Sequence, residues 1–384
     1  MSKRVFVGTV IVLISILTST GAGAQSALLV GFTPFPDTNI PNTQYADSRM
    51  VCGAQPSANT GTAYSIRRKY VSGNAVTGAV RYDMTPAGVS ATDLTSAEVT
   101  TPTHPNSWLD YSVVGFAGYD NTGAKGLIVF GGRGGSNTYS STYLRFKLGS
   151  GFGSPQSMGP VSPRAGMAVT AVSARKVILM GGYDGAWSPK ADIFEFDEPS
   201  GTITAVPTNM PVPLANAKTL VSNGGNWIYV IGGGTGANGD ANRRIYRFDA
   251  TTKAWTTIKK SAAAGDDLLI PGMGEVQLAS VQGSILILTN DTTSSVTGAG
   301  MTVYKLNPPA AGGSIGSLTA KFFPVAPRAR GSFSMVRCGA DTWAIGGTYG
   351  NGPSFSDRTL YVDKLSNGPM KIMPAFKPID AKAF

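Results

Sequence analysis

The chain has 384 residues, of which 49 are glycine and only 14% are charged, and its formal net charge is +10. This composition is typical of a fold with many turns and short strands, and it disfavours long charged helices. A single histidine excludes a metal site or catalytic triad that needs several histidines. The basic residues are scattered without an aromatic-interleaved stripe, so we expect no nucleic-acid partner.

Residues 1–24 have the features of a secretory signal peptide. Lys3 and Arg4 precede an apolar run over Val5–Leu17, and Ala22-Gly23-Ala24 supplies the small residues of a cleavage site. The apolar run is short for a membrane span, which leaves an uncleaved anchor as the alternative. We expect residues 25–384 to form one exported domain, extracellular or, in a bacterium, periplasmic, with no membrane span after signal cleavage.

Residues 25–106 are the least regular part of the chain. Tyr64–Val71 and Ala79–Asp83 are rich in β-branched and aromatic residues and predict two strands, but no double glycine joins them. The run Leu28–Phe32 near the start could complete a sheet that the C-terminal part of the chain begins.

From Ser107 onward one pattern recurs: an apolar run ends in two glycines, and a polar loop and a short aromatic-containing run follow. The double glycines begin at positions 131, 181, 232 and 346, with spacings of 50, 51 and 114 residues. The last spacing is two periods of 57, and the intermediate copy has Thr289-Asn290 in place of the glycines. The period predicts five tandem units of short strands over residues 107–376.

The clearest copy is Trp227–Ile258, in which Gly232-Gly233, Tyr246 and Trp255 follow in the order of a kelch repeat. The chain therefore resembles the kelch family with divergent repeats, in which each repeat forms one four-stranded antiparallel blade of a β-propeller. The resemblance implies an all-β kelch propeller of six blades, the first being the divergent segment 25–106. Seven blades are the alternative, with Leu28–Phe32 completing a blade begun by the C-terminus.

The only two cysteines, Cys52 and Cys338, lie near opposite ends of the chain. A secreted chain with two cysteines commonly pairs them. If the ends meet in a ring, we expect a disulfide that locks the closure. Two free buried thiols are the alternative.

The residues exclude two chemistries of related propellers. Galactose-oxidase-like propellers resemble kelch proteins, and their copper site needs two histidines and a crosslinked tyrosine, whereas this chain has only His104. The Asp-box motif of sialidases is absent from the sequence. We expect no metal, no cofactor and no catalytic residue of these kinds.

Two sets of side chains are candidates for ligand binding. Arg164, Arg328 and Arg330 precede a double glycine by similar distances, and by resemblance they border the channel; the alternative is that they bond loop carbonyls. The second set lies in the loops after the double glycines, where exposed aromatics beside arginine suit a partner contact and packing within the turn is the alternative. Its members are Arg133, Tyr183, Trp187 and Tyr349. Asn290 begins a glycosylation sequon at a predicted loop.

We expect a secreted, non-catalytic propeller that binds a protein or glycan, acidic partners included, through loops at one mouth of the channel. One alternative is a metal-independent enzyme similar to the kelch-type sialic-acid mutarotases, using Arg164, Arg328 and Glu275. A third reading is a basic component of an extracellular matrix or wall, held by charge.

Overall fold

The structure is a computed structural model. It describes residues 31–34, 38–39, 49–52, 61–71, 74–85, 88–93, 112–116, 126–133, 138–147, 151–173, 175–222, 226–236, 240–271, 276–281, 283–290, 301–310, 312–321, 331–338, 341–348, 359–360 and 362–366. In these ranges no helix is long and apolar enough to cross a membrane.

The described strands form five four-stranded sheets, one five-stranded sheet and one two-stranded pair. The N-terminal part contributes β1 (Gly31–Pro34), β2 (Thr38–Asn39), β3 (Arg49–Cys52), β4 (Gly61–Val71), β5 (Asn74–Thr85) and β6 (Gly88–Asp93). The next three sheets contain β7 (Ser112–Phe116), β8 (Gly126–Phe130), β9 (Thr142–Lys147), β10 (Gly151–Phe152), β11 (Gln156–Ser157), β12 (Ala168–Ala171), β13 (Lys176–Met180), β14 (Ile193–Asp197), β15 (Thr202–Ala205), β16 (Lys218–Val221), β17 (Trp227–Ile231), β18 (Ile245–Asp249) and β19 (Trp255–Thr257). The C-terminal part contributes β20 (Val276–Val281), β21 (Ser284–Asn290), β22 (Met301–Asn307), β23 (Ser317–Lys321), β24 (Gly331–Cys338), β25 (Asp341–Thr348), β26 (Thr359–Leu360) and β27 (Val362–Ser366).

The sheets lie around a common axis. Their inner strands neighbour one another in the closed series β3, β7, β12, β16, β20, β24 and back to β3. Within each sheet neighbouring strands pair antiparallel, as in β12-β13-β14-β15 and β16-β17-β18-β19. This is the arrangement of a β-propeller, so the predicted all-β class and the antiparallel blade are confirmed.

The prediction of six four-stranded blades needs correction. We expected six blades of four strands each, with seven as the alternative, but five sheets have that form and the β7–β11 sheet has five strands. Its outer strand is interrupted between Phe152 and Gln156, so that β10 and β11 pair separately with β9. Pro155 lies in the interruption, and because proline has no N–H it cannot donate to the ladder there.

The N-terminal strand completes the C-terminal sheet. β1 pairs antiparallel with β27 as the outer strand of the series β24-β25-β27-β1. Of the predicted run Leu28–Phe32, the described residues Gly31 and Phe32 lie in β1 and pair with Ser366 and Leu365, but the described sheets do not include a seventh blade. Because β1 pairs with β27, the N-terminal and C-terminal parts of the chain are joined within one sheet, and this edge of β27 is not left unpaired. β3 and β24, which carry Cys52 and Cys338, are neighbouring inner strands, so the disulfide remains a prediction that this placement permits.

The three largest described cores each lie between two adjacent sheets, because alternate residues of a strand point to opposite faces. Val177 and Leu179 of β13 pack with Ile128 and Phe130 of the preceding sheet. Ile178 and Met180 of the same strand pack with a cluster of the following sheet, including Ile228 and Val230. Burial on both faces explains why the second strand of each unit is a continuous apolar run rather than an alternating one.

The double glycine at the end of the second strand determines how closely one sheet approaches the segment that leads into the next sheet. Gly181 and Gly182 have φ values of +60° and +91°, a region that side chains other than glycine rarely adopt. The N–H of Gly182 donates to the carbonyl of Leu214, 2.9 Å away, in the segment that leads into β16. A Cβ at Gly181 would lie 2.3 Å from that same carbonyl oxygen. The recurring glycines are thus required by the close approach of two backbones.

Candidate functional site

The loops that follow the double glycines bring three of the predicted residues together. Tyr183 and Trp187 come from the β13–β14 loop, and Arg133 comes from the loop after β8 in the preceding sheet. The Tyr183 and Trp187 rings are stacked, with centroids 4.8 Å apart and an interplanar angle of 8°. The Arg133 guanidinium carbon lies 4.5 Å from the Trp187 ring centroid. We call these three residues the Trp187 cluster.

The buried member of the cluster is Tyr183. Its residue is 2% exposed, and its backbone exchanges hydrogen bonds with Ala165 at 2.9 and 2.8 Å. The Tyr139 ring meets the Tyr183 ring edge-on, with centroids 5.8 Å apart. Tyr183 is therefore fixed both through its backbone and through its ring, and it provides a rigid support on which Trp187 stacks.

Trp187 is the exposed member and has an unusual backbone. Its φ is +56°, which is rare for a bulky side chain and has to be stabilised by the surrounding loop. Its N–H donates to the carbonyl of Asp184 at 2.8 Å. The side chain remains 43% exposed although it stacks on Tyr183. The loop therefore presents a large aromatic surface in a defined orientation.

Asp184 organises this loop electrostatically. Its Oδ1 accepts from the backbone N–H groups of Ala186 and Ser188, at 3.2 and 3.4 Å, and its carboxylate forms an ion pair with Lys190. The hydrogen bond from Lys190, assisted by the two backbone donors, lowers the pKa of Asp184 below its ordinary value of 3.8, against a smaller effect of burial. Asp184 is consequently ionised at neutral pH, and the loop conformation is maintained by a charged acceptor.

Arg164 does not face the channel as a free guanidinium. It is 2% exposed, and its guanidinium donates to both carboxylate oxygens of Asp192 and to the hydroxyl of Ser162. It also donates to the carbonyls of Ser162 and Gly181, at 3.1 and 3.2 Å. This geometry favours the alternative stated above, in which the arginine bonds loop carbonyls and fixes the start of a sheet.

Several other predicted residues fall outside the described ranges. They are Arg328, Arg330, Tyr349, Glu275 and His104. Asn290 is described, and its predicted position in a loop is wrong: it is the last residue of β21 and pairs with Met301. Among the described residues, no group of three or more His, Cys, Asp or Glu residues is placed to hold a metal ion.

Two residues that shape the site were not among the predicted ones. Tyr139 supports Tyr183, and Asp192 neutralises Arg164. A signal for Tyr139 exists in the sequence, because it lies in the same loop after a double glycine as Arg133. Asp192 has no such signal, since its partner is 28 residues away in the chain.

The comparisons with known proteins support the fold. No family model matches the chain, and no curated protein matches its sequence. The chain is similar to a solved structure described as "Structure of YjhT", with a TM-score of 0.53 and 12% sequence identity. The similarity covers 86% of this chain and 96% of that one. At this identity the similarity shows the β-propeller fold and nothing more specific.

Proposed function

We propose that the protein is a secreted, non-catalytic propeller of kelch type that binds a protein or glycan partner through the Trp187 cluster. The support for kelch type is the Gly-Gly, Tyr and Trp order in the copy Trp227–Ile258 and the recurring double glycines, together with the propeller arrangement. The support for export is the signal-like segment at residues 1–24. Function resides in the site rather than in the fold, so the binding proposal rests on the cluster.

The observation that carries the proposal is the pre-organised exposed ring of Trp187. Tryptophan, tyrosine and arginine are the residues that most often dominate binding energy in interfaces. An aromatic side chain that is already fixed in the free protein loses little conformational entropy when a partner binds. Here Tyr183 and Arg133, which belong to two different sheets, hold that ring in place. The Tyr183 ring centroid lies 4.8 Å from the Trp187 ring centroid, and the Arg133 guanidinium carbon lies 4.5 Å from it.

The test is binding of the fluorescently labelled mature protein to arrays of defined oligosaccharides and of extracellular proteins. Trp187→Ala is expected to weaken binding to any specific ligand by roughly 10-fold or more, the loss typical of an interface anchor. The matched control is Trp227→Ala, because Trp227 also lies under an arginine, with the Arg247 guanidinium carbon 4.4 Å from its ring. Trp227 begins β17 and so lies at the opposite end of the strand from the double glycine.

The control variant is expected to bind like the native protein. Equal losses of ligand affinity in Trp187→Ala and Trp227→Ala would refute the assignment of the binding surface to the Trp187 cluster. Native-like ligand affinity in Trp187→Ala would also refute it. Arg164, on which the sugar-active alternative depends, is occupied by Asp192, so no described contact favours that alternative. Faster anomeric equilibration of a free sugar by the native protein would nevertheless establish it against our proposal.

A further inference from the structure

Three successive sheets carry a charged residue at the same place in their third strand. The residues are Arg145 in β9, Glu195 in β14 and Arg247 in β18. Each pairs with the second-strand residue that lies three positions before the first glycine of its repeat, so the three are equivalent. Those second-strand residues lie in the cores shared with the following sheet, and directly paired residues point to the same face. The three charged side chains therefore point towards the following sheet.

In two of the three cases the following sheet supplies a counter-charge from the turn between its third and fourth strands. Arg145 forms an ion pair with Glu198, which follows β14. Glu195 accepts from the Nζ of Lys253, between β18 and β19, at 2.9 Å. The corresponding turn for Arg247 joins β22 to β23, and its sequence contains no aspartate or glutamate. The equivalent acidic partner of Arg247 is thus missing from the chain.

Arg247 is nevertheless withdrawn from water. It is 5% exposed, its guanidinium carbon lies 4.4 Å from the Trp227 ring centroid, and its Nη2 donates to Thr256 Oγ1 over 3.4 Å. Its Nη1 is buried and has no hydrogen-bond acceptor among the described residues, which also place no carboxylate in ion-pair contact with it. By contrast, the similarly buried Arg164 donates to both carboxylate oxygens of Asp192. A buried cation without a counter-charge is costly, so Arg247 requires an acceptor.

A second buried donor lies beside this guanidinium. Tyr229 is the direct strand partner of Arg247, is fully buried, and has a hydroxyl without a hydrogen-bond partner in the described part of the chain. Tyr229 does not supply the negative charge, because burial raises its pKa above the ordinary value of 10.0 and Arg247 offsets this only in part. If the hydroxyl accepts from the guanidinium, its own proton still needs an acceptor. Two neighbouring buried donors therefore require one acceptor.

From these two donors we propose that the protein binds a small monovalent anion between Arg247 and Tyr229, at the junction of the β16–β19 and β20–β23 sheets. One negative charge neutralises the guanidinium, and one small anion accepts hydrogen bonds from both donors. The core around Tyr229 is otherwise apolar, which disfavours a larger or multiply charged ion because its desolvation is not repaid. The site is independent of the ligand proposed above, since Trp187 lies in the β13–β14 loop, outside these strands.

The test is the free energy of unfolding of the mature protein in urea, measured while sodium chloride replaces sodium gluconate at constant ionic strength. Gluconate is the reference because it is too large for a place between two buried side chains. An anion that binds only the folded state should raise the folding equilibrium constant by about 10-fold for each 10-fold rise in its concentration above the dissociation constant. We expect this dependence on chloride in the native protein. A series with formate tells a small carboxylate from a halide, since the preferred anion acts at the lower concentration.

Three variants localise the effect. Arg247→Met should abolish the chloride dependence, and in gluconate it should be at least as stable as the native protein, because it removes an unpaired buried cation. Tyr229→Phe deletes only the hydroxyl and should raise the chloride dissociation constant by roughly 5-fold. The matched control is Lys305→Met, at the equivalent position of β22 and only partly buried, which should keep the native chloride dependence.

Equal stability of the native protein in chloride, formate and gluconate would overturn the proposal. An unchanged chloride dependence in Arg247→Met, or an unchanged chloride dissociation constant in Tyr229→Phe, would place the effect elsewhere and would also overturn it. The same holds if Arg247→Met is much less stable than the native protein in gluconate, because the arginine would then have a partner within the protein. None of these results affects the ligand proposal, whose variants are tested on arrays at one fixed salt composition.

Discussion

The ion pair between Arg164 and Asp192 gives a prediction that separates a structural arginine from a ligand-binding one. The two partners are buried to very different extents, since the Arg164 side chain is 3% exposed and the Asp192 side chain is 38% exposed. Removing the carboxylate leaves a cation in the interior, whereas removing the cation leaves a carboxylate that water can still reach. The two single variants should therefore not be equivalent.

The expected magnitudes follow from this asymmetry. Asp192→Asn should destabilise the protein by about 3 kcal/mol, because breaking a buried pair leaves an uncompensated charge. Arg164→Leu should cost about 1–2 kcal/mol, mainly from hydrogen bonds lost by neutral acceptors such as Ser162. The following sheet already has Leu214 at the corresponding place, where it is buried, so leucine is compatible with this backbone.

The assay is reversible urea unfolding followed by tryptophan fluorescence, with the free energy of unfolding compared at equal m-value. The double variant Arg164→Leu with Asp192→Asn should be close in stability to Arg164→Leu alone. Ligand binding measured on the arrays should be unchanged in Arg164→Leu. A larger loss of stability in Arg164→Leu than in Asp192→Asn would refute the argument from burial, and lost binding in a stable Arg164→Leu would restore this residue as a ligand contact.

Gly181→Ala should destabilise the protein by at least about 2 kcal/mol, because a positive φ and a backbone clash act together. The control is Gly185→Ala, whose Cβ would meet only ordinary contacts; its free energy of unfolding should change by less than about 0.5 kcal/mol in the same assay. If Cys52 forms a disulfide with Cys338, Cys52→Ser should lower the free energy of unfolding by at most on the order of 5 kcal/mol. A native mass that shows two free thiols would contradict the pairing. The lowered pKa of Asp184 means that its stabilising effect is present above the unfolded-state pKa and disappears as the pH falls through the folded-state pKa, below 3.8. Fluorescence of the loop tryptophan should therefore be constant from neutral pH to about pH 4 and change only in stronger acid, whereas a change near pH 6 would contradict this sign.

Much of the fold could be predicted because the repeat is a local pattern. The period of the double glycines located the second strand of four sheets, and the alternation of short runs and turns predicted antiparallel pairing. The strand count of the β7–β11 sheet could not be predicted in this way. It depends on how Pro155 interrupts pairing with β9, and no repeat period reports such an interruption.

The site was predictable where its residues share an equivalent position in successive repeats. Tyr183, Trp187 and Arg133 all follow a double glycine, so the sequence placed them at the same end of neighbouring sheets. For Arg164 the sequence left two roles open, a channel contact and a bond to loop carbonyls. It could not decide between them, because the environment of this arginine is determined by Asp192, a residue with no signal in the pattern. Contacts between residues far apart in the chain require the fold itself.

The most direct test of the account is a crystal structure of the protein with the ligand that the arrays identify. We expect ligand atoms in van der Waals contact with the exposed ring of Trp187 and within hydrogen-bonding reach of Arg133. Ligand bound at the opposite end of the sheets, among the turns that join β14 to β15 and β18 to β19, would contradict it.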